Sequence, residues 1–452
     1  MEPQASRPSG NQVPPLNPDA IREFTAALGS GNVPNVARKL MEAVKMAAYA
    51  KLNVAVTGEP GAGKSTFINA MRQLGDEDPG AAATGVVDTT RDPTPYPHPK
   101  YPNITLWDLP GIGSPEFRAE GYLARVASDR YDFFILLASQ RFTYNLAQLA
   151  CAIQQQGKKF YLVRCKVDVD LEASRRRRPS SFDPEQVLAE IRRDCQDQLS
   201  RQGLSGPRVF ALSNFNRGLY DFPLLEETLE KELPGHKRQA FLLARPNDSL
   251  EVLEKKKAAL EEQIWKLALA ACTVNSVPVP GLPGLPAACE VAILTDSLSD
   301  YCRSFGLERE TLEELARELG LPQEEVQGLI RSPLAQDITR GLVLQLLASA
   351  SQSAQLLFQY FRQAVPTFGT LAAAGLSFAA IYLTLRTFLQ HVAEDARRIV
   401  LLAQRKRGQR DGEPPRRAPP APPEPRGSAE ALPPAASPPP PAPLPGPSKS
   451  PS

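Results

Sequence analysis

Gly58-Glu59-Pro60-Gly61-Ala62-Gly63-Lys64-Ser65 has the spacing G-x-x-x-x-G-K-[ST], which suits a loop that cradles nucleotide phosphates. The glycines let the backbone turn several N–H groups toward one point, and a helix starting there adds partial positive charge. In such a loop Gly58 to Gly63 and Thr66 surround the phosphates. Lys64 reaches the β- and γ-phosphates, and the Ser65 hydroxyl sits on Mg²⁺. The pattern needs a strand before it and a helix after it. Leu52–Thr57 reads as a buried strand and Thr66–Met71 as the first turns of a helix. Without that setting the same residues make a Gly-rich turn.

Further carboxylates follow at the ends of apolar runs. The strand Asn103–Trp107 leads into Asp108-Leu109-Pro110-Gly111, 44 residues after Lys64 (108 minus 64). A carboxylate there suits Mg²⁺, and the Gly111 N–H suits a γ-phosphate. The run Phe160–Arg164 leads into Cys165-Lys166-Val167-Asp168. A carboxylate at Asp168 can accept two N–H groups of guanine, a pair that adenine does not offer, so it selects GTP over ATP. Cys165 stands where Asn or Thr usually opens this motif, and a thiol is the poorer hydrogen-bonding group. Phe210–Leu212 reads as another strand, ending in Ser213-Asn214, a small polar pair able to pack on the base. Each motif alone is also a solvated strand end. Their order, each after a strand, is what points to a guanine site. Thr84, Thr89, Thr90 and Thr94 lie between the phosphate loop and Asp108. One such Thr completes a Mg²⁺ shell and senses the γ-phosphate, but spacing does not choose among them.

These motifs, with Asp78–Val87, Tyr96-Pro97-His98-Pro99, Leu106–Ser114, Tyr131–Phe134, Lys158–Tyr161 and Tyr220–Pro223, resemble the immunity-related GTPases, the interferon-inducible family. The resemblance covers about residues 18–403 and is nearest to one divergent vertebrate branch. It implies a dynamin-like α/β P-loop G domain, mostly parallel sheet with helices on both faces, inserted in an all-α helical domain. It also implies GTP-dependent homodimers or oligomers through the G domains, action at an intracellular membrane and a role in cell-autonomous innate immunity. On the family pattern Thr90 is the switch Thr, Thr84 falls at a regulatory phosphorylation site, and Asp88 stands where a catalytic Glu acts across the dimer. Ile112 replaces the water-orienting Gln of small GTPases, so slow basal hydrolysis is expected, with help from a partner subunit. A GTP-binding scaffold with little turnover is the alternative.

The expected organisation is a disordered N-terminus (1–17), N-terminal helices (18–50), a G domain (51–235), a C-terminal helical domain (236–408) and a disordered Pro-rich tail (409–452). Helices are expected near Ala20–Leu28, Asn35–Ala50, Leu250–Ala271, Glu310–Gly320 and Pro322–Ile330. Val365–Leu385 is 21 residues without a charge. Its length allows a span, while its small residues also suit a buried or membrane-inserting hairpin. Val274–Leu294, broken by prolines, reads as a bent or membrane-dipping segment. The run Arg175–Arg178 is expected in a solvated loop. Seventeen of the 42 residues from Asp411 are proline, a composition that stays disordered and offers polyproline to SH3 or WW grooves. Net charge is +2, which creates no general nucleic-acid field. Six cysteines without C-x-x-C pairing suit a reducing compartment, and three scattered histidines suit no zinc site. The first residues carry no apolar run, and Glu2 follows Met1, so neither a secretory leader nor myristoylation is expected. The expected place is the cytoplasm, peripherally on the endoplasmic reticulum or another endomembrane.

Overall fold

The computed structural model describes residues 22, 25–26, 33–85, 90, 92–113, 118–139, 142–204, 206–273, 288–332, 338–364 and 372–411. Residues up to Arg407 form one compact unit. The second unit begins at Gly408 and is described only through Asp411, which is helical. Residues 409–411, expected to be disordered, continue the last helix, while residues 412–452 of the Pro-rich tail, residues 1–17 and most of the expected Ala20–Leu28 helix lie outside the described residues.

A six-stranded sheet has the order β2-β3-β1-β4-β5-β6. Its strands are β1 (Leu52–Gly58), β2 (Thr94–Pro97), β3 (Ile104–Asp108), β4 (Phe133–Ala138), β5 (Phe160–Arg164) and β6 (Val209–Ala211). All pairs are parallel except β2 with β3, where Thr94 faces Asp108 and Pro97 faces Thr105. The edge position of β2 is what its two prolines permit, since a central strand needs their missing N–H groups. Strand β4 is apolar throughout, and β1 and β5 are apolar but for Asn53, Thr57 and Arg164, because helices cover both faces. Their side chains alternate between two cores. Val54, Val56, Ile135, Leu137 and Val163 meet Phe67, Phe222 and Phe241 on one face. Ala55, Phe134, Leu136 and Leu162 meet Leu123, Leu146 and Leu199 on the other.

The helix α1 (Val33–Ala48) precedes the sheet. Helices α2 (Lys64–Met71), α3 (Ala119–Arg125), α4 (Tyr144–Gln155), α5 (Val167–Arg177), α6 (Pro184–Arg201), α7 (Phe222–Glu232) and α8 (Gly235–Ala244) surround it. Then come α9 (Leu250–Thr273), α10 (Ala288–Ser304), α11 (Arg309–Leu319), α12 (Gln323–Gln327), α13 (Arg340–Ala364) and α14 (Ala372–Asp411). Val44 of α1 shares one core with Trp265 of α9, Leu298 of α10, Phe361 of α13 and Phe388 of α14. Helices on either side of the sheet in sequence thus pack together, and the α/β layers sit between them along the chain.

One expectation about the helices needs correction. Arg175–Arg177 are not in a loop but form the last turn of α5, where Arg175 and Arg176 pair with Glu172 at 3.0 and 2.8 Å. Cations there complement the helix C-terminus. In the stretch 365–385, residues 365–371 lie outside the described ones. The remainder belongs to α14, and Phe378, Ile381, Tyr382 and Leu385 are buried in the helical core. Among the described residues no single helix is long and apolar enough to cross a membrane, and one bent pair within Arg340–Gln363 passes by length and composition alone. Of Val274–Leu294, residues 274–287 lie outside the described ones, and Val291 and Leu294 are core residues of α10.

Candidate nucleotide-binding site

The site lies at the C-terminal ends of β1, β3, β5 and β6, where open α/β sheets place their ligands. β1 is flanked by β3 on one side and β4 on the other, so the chain leaves the sheet centre just where the phosphate loop begins. Gly58 closes β1 with φ +150°, and a Cβ there would stand 2.2 Å from the Leu137 carbonyl oxygen. No side chain fits. Gly63, at φ +87°, caps α2 without any side-chain cap. The first-turn N–H groups of α2 therefore stay directed at whatever fills the loop. Lys64 is buried and donates from Nζ to the Glu59 carbonyl at 3.1 Å, folded back across the loop.

Asp108 gathers the hydroxyls. Ser65 Oγ donates to Asp108 Oδ2 at 2.8 Å, and Thr90 Oγ1 donates to the same oxygen at 2.9 Å. Of the three candidate threonines that are described, Thr90 is the one that bonds Asp108. Thr84 is exposed, Thr94 turns back to the Asp92 carbonyl, and Thr89 lies outside the described residues together with Asp88. One carboxylate and two hydroxyls are all hard oxygen donors. That set fits Mg²⁺, a hard cation bound through oxygens, with one or two carboxylates and substrate phosphates among them. Among the described residues no cluster of three His, Cys, Asp or Glu offers another metal site.

The loop after Asp108 is fastened to β1. Leu109 N–H donates to the Val56 carbonyl at 3.0 Å and Ile112 N–H to the Gly58 carbonyl at 3.2 Å. Buried Tyr122 donates its hydroxyl to the Pro110 carbonyl at 2.8 Å and lies 2.6 Å from Thr57 Oγ1. Burial raises the Tyr122 pKa, so the phenol stays a donor. Gly111 is thereby held beside the phosphate loop. The Ile112 side chain points into the core and cannot orient a water.

The base end is built from β5 and β6. Cys165 is buried at the end of β5, Lys166 is exposed with φ +61°, and Asp168 is half-buried in the first turn of α5. A lysine in the left-handed region costs about 1 kcal/mol or more, a strain typical of ligand loops. Ser213 is buried, and the next residue, Asn214, donates to the Gly63 carbonyl at 3.1 Å. Two braces were not anticipated from the sequence. Arg164 is buried, bonds the Ser139 carbonyl, donates to the Cys165 carbonyl at 2.5 Å and pairs with Asp170 at 2.5 Å. Asp221 accepts both Arg192 donors at 2.8 Å and the Ala211 N–H at 2.8 Å, closing the loop that carries Ser213 and Asn214. An arginine ending an otherwise apolar strand was the available signal for the first. The second depends on a partner 29 residues away in sequence.

A phosphate loop between β1 and α2, a Ser–Thr–Asp oxygen set and a Lys-x-Asp loop after β5 together define a P-loop GTPase. The chain belongs to the interferon-inducible GTPase family, whose sequence model, Interferon-inducible GTPase (IIGP), matches residues 17–403. It is 46% identical over 385 residues to Interferon-inducible GTPase 5 of Rattus norvegicus, covering 85% of this chain and 82% of that one. The Bos taurus protein of the same name is equally similar, at 46% over 385 residues. Interferon-gamma-inducible GTPase 10 of Mus musculus is 37% identical over 384 residues, covering 84% of this chain and 88% of that protein.

Proposed function

We propose that this GTPase binds GTP with Mg²⁺, hydrolyses it slowly on its own, and turns over faster when copies associate in the triphosphate state. The observation that supports the reading most is the convergence of Ser65 and Thr90 on one oxygen of Asp108. Ser65, Thr90 and Asp108 would hold the metal, whose bound charge would offset that of the phosphates. Lys64 would swing from the Glu59 carbonyl onto the β- and γ-phosphates. The α2 N-terminus would stabilise negative charge there, and the Gly111 N–H would meet the γ-phosphate. Asp168 would accept the guanine N–H pair, with Lys166 and the Ser213-Asn214 pair packing around the base.

Self-association draws support from Ile112. With that side chain buried, the described part of the chain offers no residue at its position to orient the attacking water. A second subunit is the natural source, acting through Asp88 or a neighbour. The same observation favours the second reading, a GTP-binding scaffold with little turnover that recruits partners through its helices and Pro-rich tail. Association with an intracellular membrane from the cytoplasm, in the service of innate immunity, is part of the proposal. Leu356 and Tyr360, exposed one turn apart on α13, are among the exposed apolar groups and support a membrane contact.

Base choice is tested by Asp168→Asn. The substituted protein is expected to shift preference from GTP toward XTP. Undiminished preference for GTP would remove Asp168 as the base-selecting residue.

A further inference from the structure

One side chain reaches from the base end of the site to its phosphate end. Asn214 Nδ2 donates to the Gly63 carbonyl at 3.1 Å. That carbonyl also accepts the Phe67 N–H in the first turn of α2 at 2.8 Å. The other end of the same amide, Oδ1, accepts the Cys165 Sγ–H at 3.8 Å. A Cβ placed on Gly63 would come within 3.1 Å of Asn214 Nδ2, so the amide already lies against the loop. The backbone behind Asn214 is fixed, because Ser213 is buried and Asp221 closes the loop onto Ala211 N–H. Cys165 is fully buried, which keeps its thiol protonated and therefore a donor.

We propose that Asn214 is a positioning residue that ties the base loops to the phosphate loop, with Cys165 as its weaker second anchor. The pair sets how long a guanine nucleotide stays bound, while Asp168 sets which base is chosen. Protein engages each end of the Asn214 amide once, which fixes the direction in which the amide points. The thiol is a weak donor, so the tie is held firmly at Gly63 and loosely at Cys165. A hydroxyl at position 165 would hold Oδ1 more strongly. This inference rests on the guanine-site reading above.

The test is the release rate of fluorescent N-methylanthraniloyl-GDP from the full chain, chased with unlabelled GDP. Asn214→Ala is expected to release about tenfold faster, the loss of one ordinary and one weak hydrogen bond. Cys165→Ser is expected to slow release by about twofold, and Cys165→Ala to speed it by about as much. In the Asn214→Ala background both Cys165 substitutions are expected to have no effect, which a merely structural cysteine would not show. The ratio of GTP to XTP affinity is expected to stay parental in Asn214→Ala and to collapse only in Asp168→Asn. Should Asn214→Ala not fold, the opposite effects of the two Cys165 substitutions carry the test alone. Parental release from folded Asn214→Ala, or a Cys165→Ser effect that persists without Asn214, would overturn the tie. A parent chain that binds no guanine nucleotide would overturn the functional reading itself.

Discussion

Asp108 does at residue scale what no single motif shows. Its Oδ2 receives Ser65 from the phosphate loop and Thr90 from a loop of several threonines. Ser65→Ala and Thr90→Ala are each expected to weaken Mg²⁺-dependent GTP affinity by about tenfold, read by titration with and without Mg²⁺. Lys64→Ala removes a charge-assisted contact and is expected to cost about 10–100-fold. The phosphate loop was legible in sequence because its chemistry is local, a run of small residues and one lysine. Thr90 was not legible from spacing, because only tertiary structure brings it to Asp108. The left-handed Lys166 was equally hidden, while the Arg164 brace left one trace, a charge at the end of an apolar strand. A second residue-scale prediction concerns His98. It is buried, its Nδ1 accepts the Lys100 N–H at 3.3 Å, and Glu226 lines the same cavity. Burial, with Lys100, Arg72, Lys256 and Arg217 adding positive charge, lowers its pKa from 6.5 to about 3. The unfolded imidazole takes up a proton below 6.5 and the folded one does not. Its contribution is therefore complete above pH 6.5 and lost as pH falls from there toward 3. His98→Asn is expected to flatten the acid side of a melting-temperature profile between those limits. An unchanged acid slope would mean that other groups control it.

At the scale of elements, the β2–β3 hairpin is the notable connector. One end lies at Asp108. The other carries Lys100 and Tyr101, which reach the helical part. Lys100 Nζ donates to Thr311 Oγ1 at 2.8 Å, and Tyr101 OH donates to Ser304 Oγ at 3.3 Å. Tyr101 packs against both the helical core and one core of the sheet. Tyr101→Ala is expected to cost about 2–4 kcal/mol in urea unfolding, more than an ordinary partly buried Tyr. Tyr101→Phe keeps the packing and is expected to cost about 1 kcal/mol. A loss below about 1 kcal/mol for Tyr101→Ala would contradict its place in two cores. Strands β1, β3, β5 and β6 were legible because each is a short, mostly apolar run leading into a motif, whereas β2 and β4, which lead into none, were not read from the sequence. Helix ends were less so. The run Arg175–Arg177 reads as loop by charge alone, yet its pairing with Glu172 and its place at a helix C-terminus make it helical. Val365–Leu385 shows the converse limit. An uncharged stretch has the same composition in a membrane as in a helical core, and only Phe378, Tyr382 and Leu385 meeting other helices identify the second.

At the largest scale, the described part of the unit that ends at Arg407 is a nucleotide-binding sheet carried between helices that pack with one another across the insertion. That arrangement was legible from amphipathic helices on both sides of the phosphate-loop motifs. The cores themselves were not, because Val44 and Phe388 are far apart in sequence. If membrane contact follows the nucleotide state, loading with a GTP analogue is expected to increase co-sedimentation with anionic liposomes. Equal sedimentation with GDP would count against a nucleotide-driven switch. The proposed hydrolysis of GTP, with subunits completing one another, has a direct test. The direct measurement is GTP turnover per molecule with Mg²⁺ across a range of protein concentrations, with Lys64→Ala as the blank. The account predicts turnover that rises with concentration and vanishes in the blank. Tight GTP binding with flat, near-zero turnover at every concentration would contradict it.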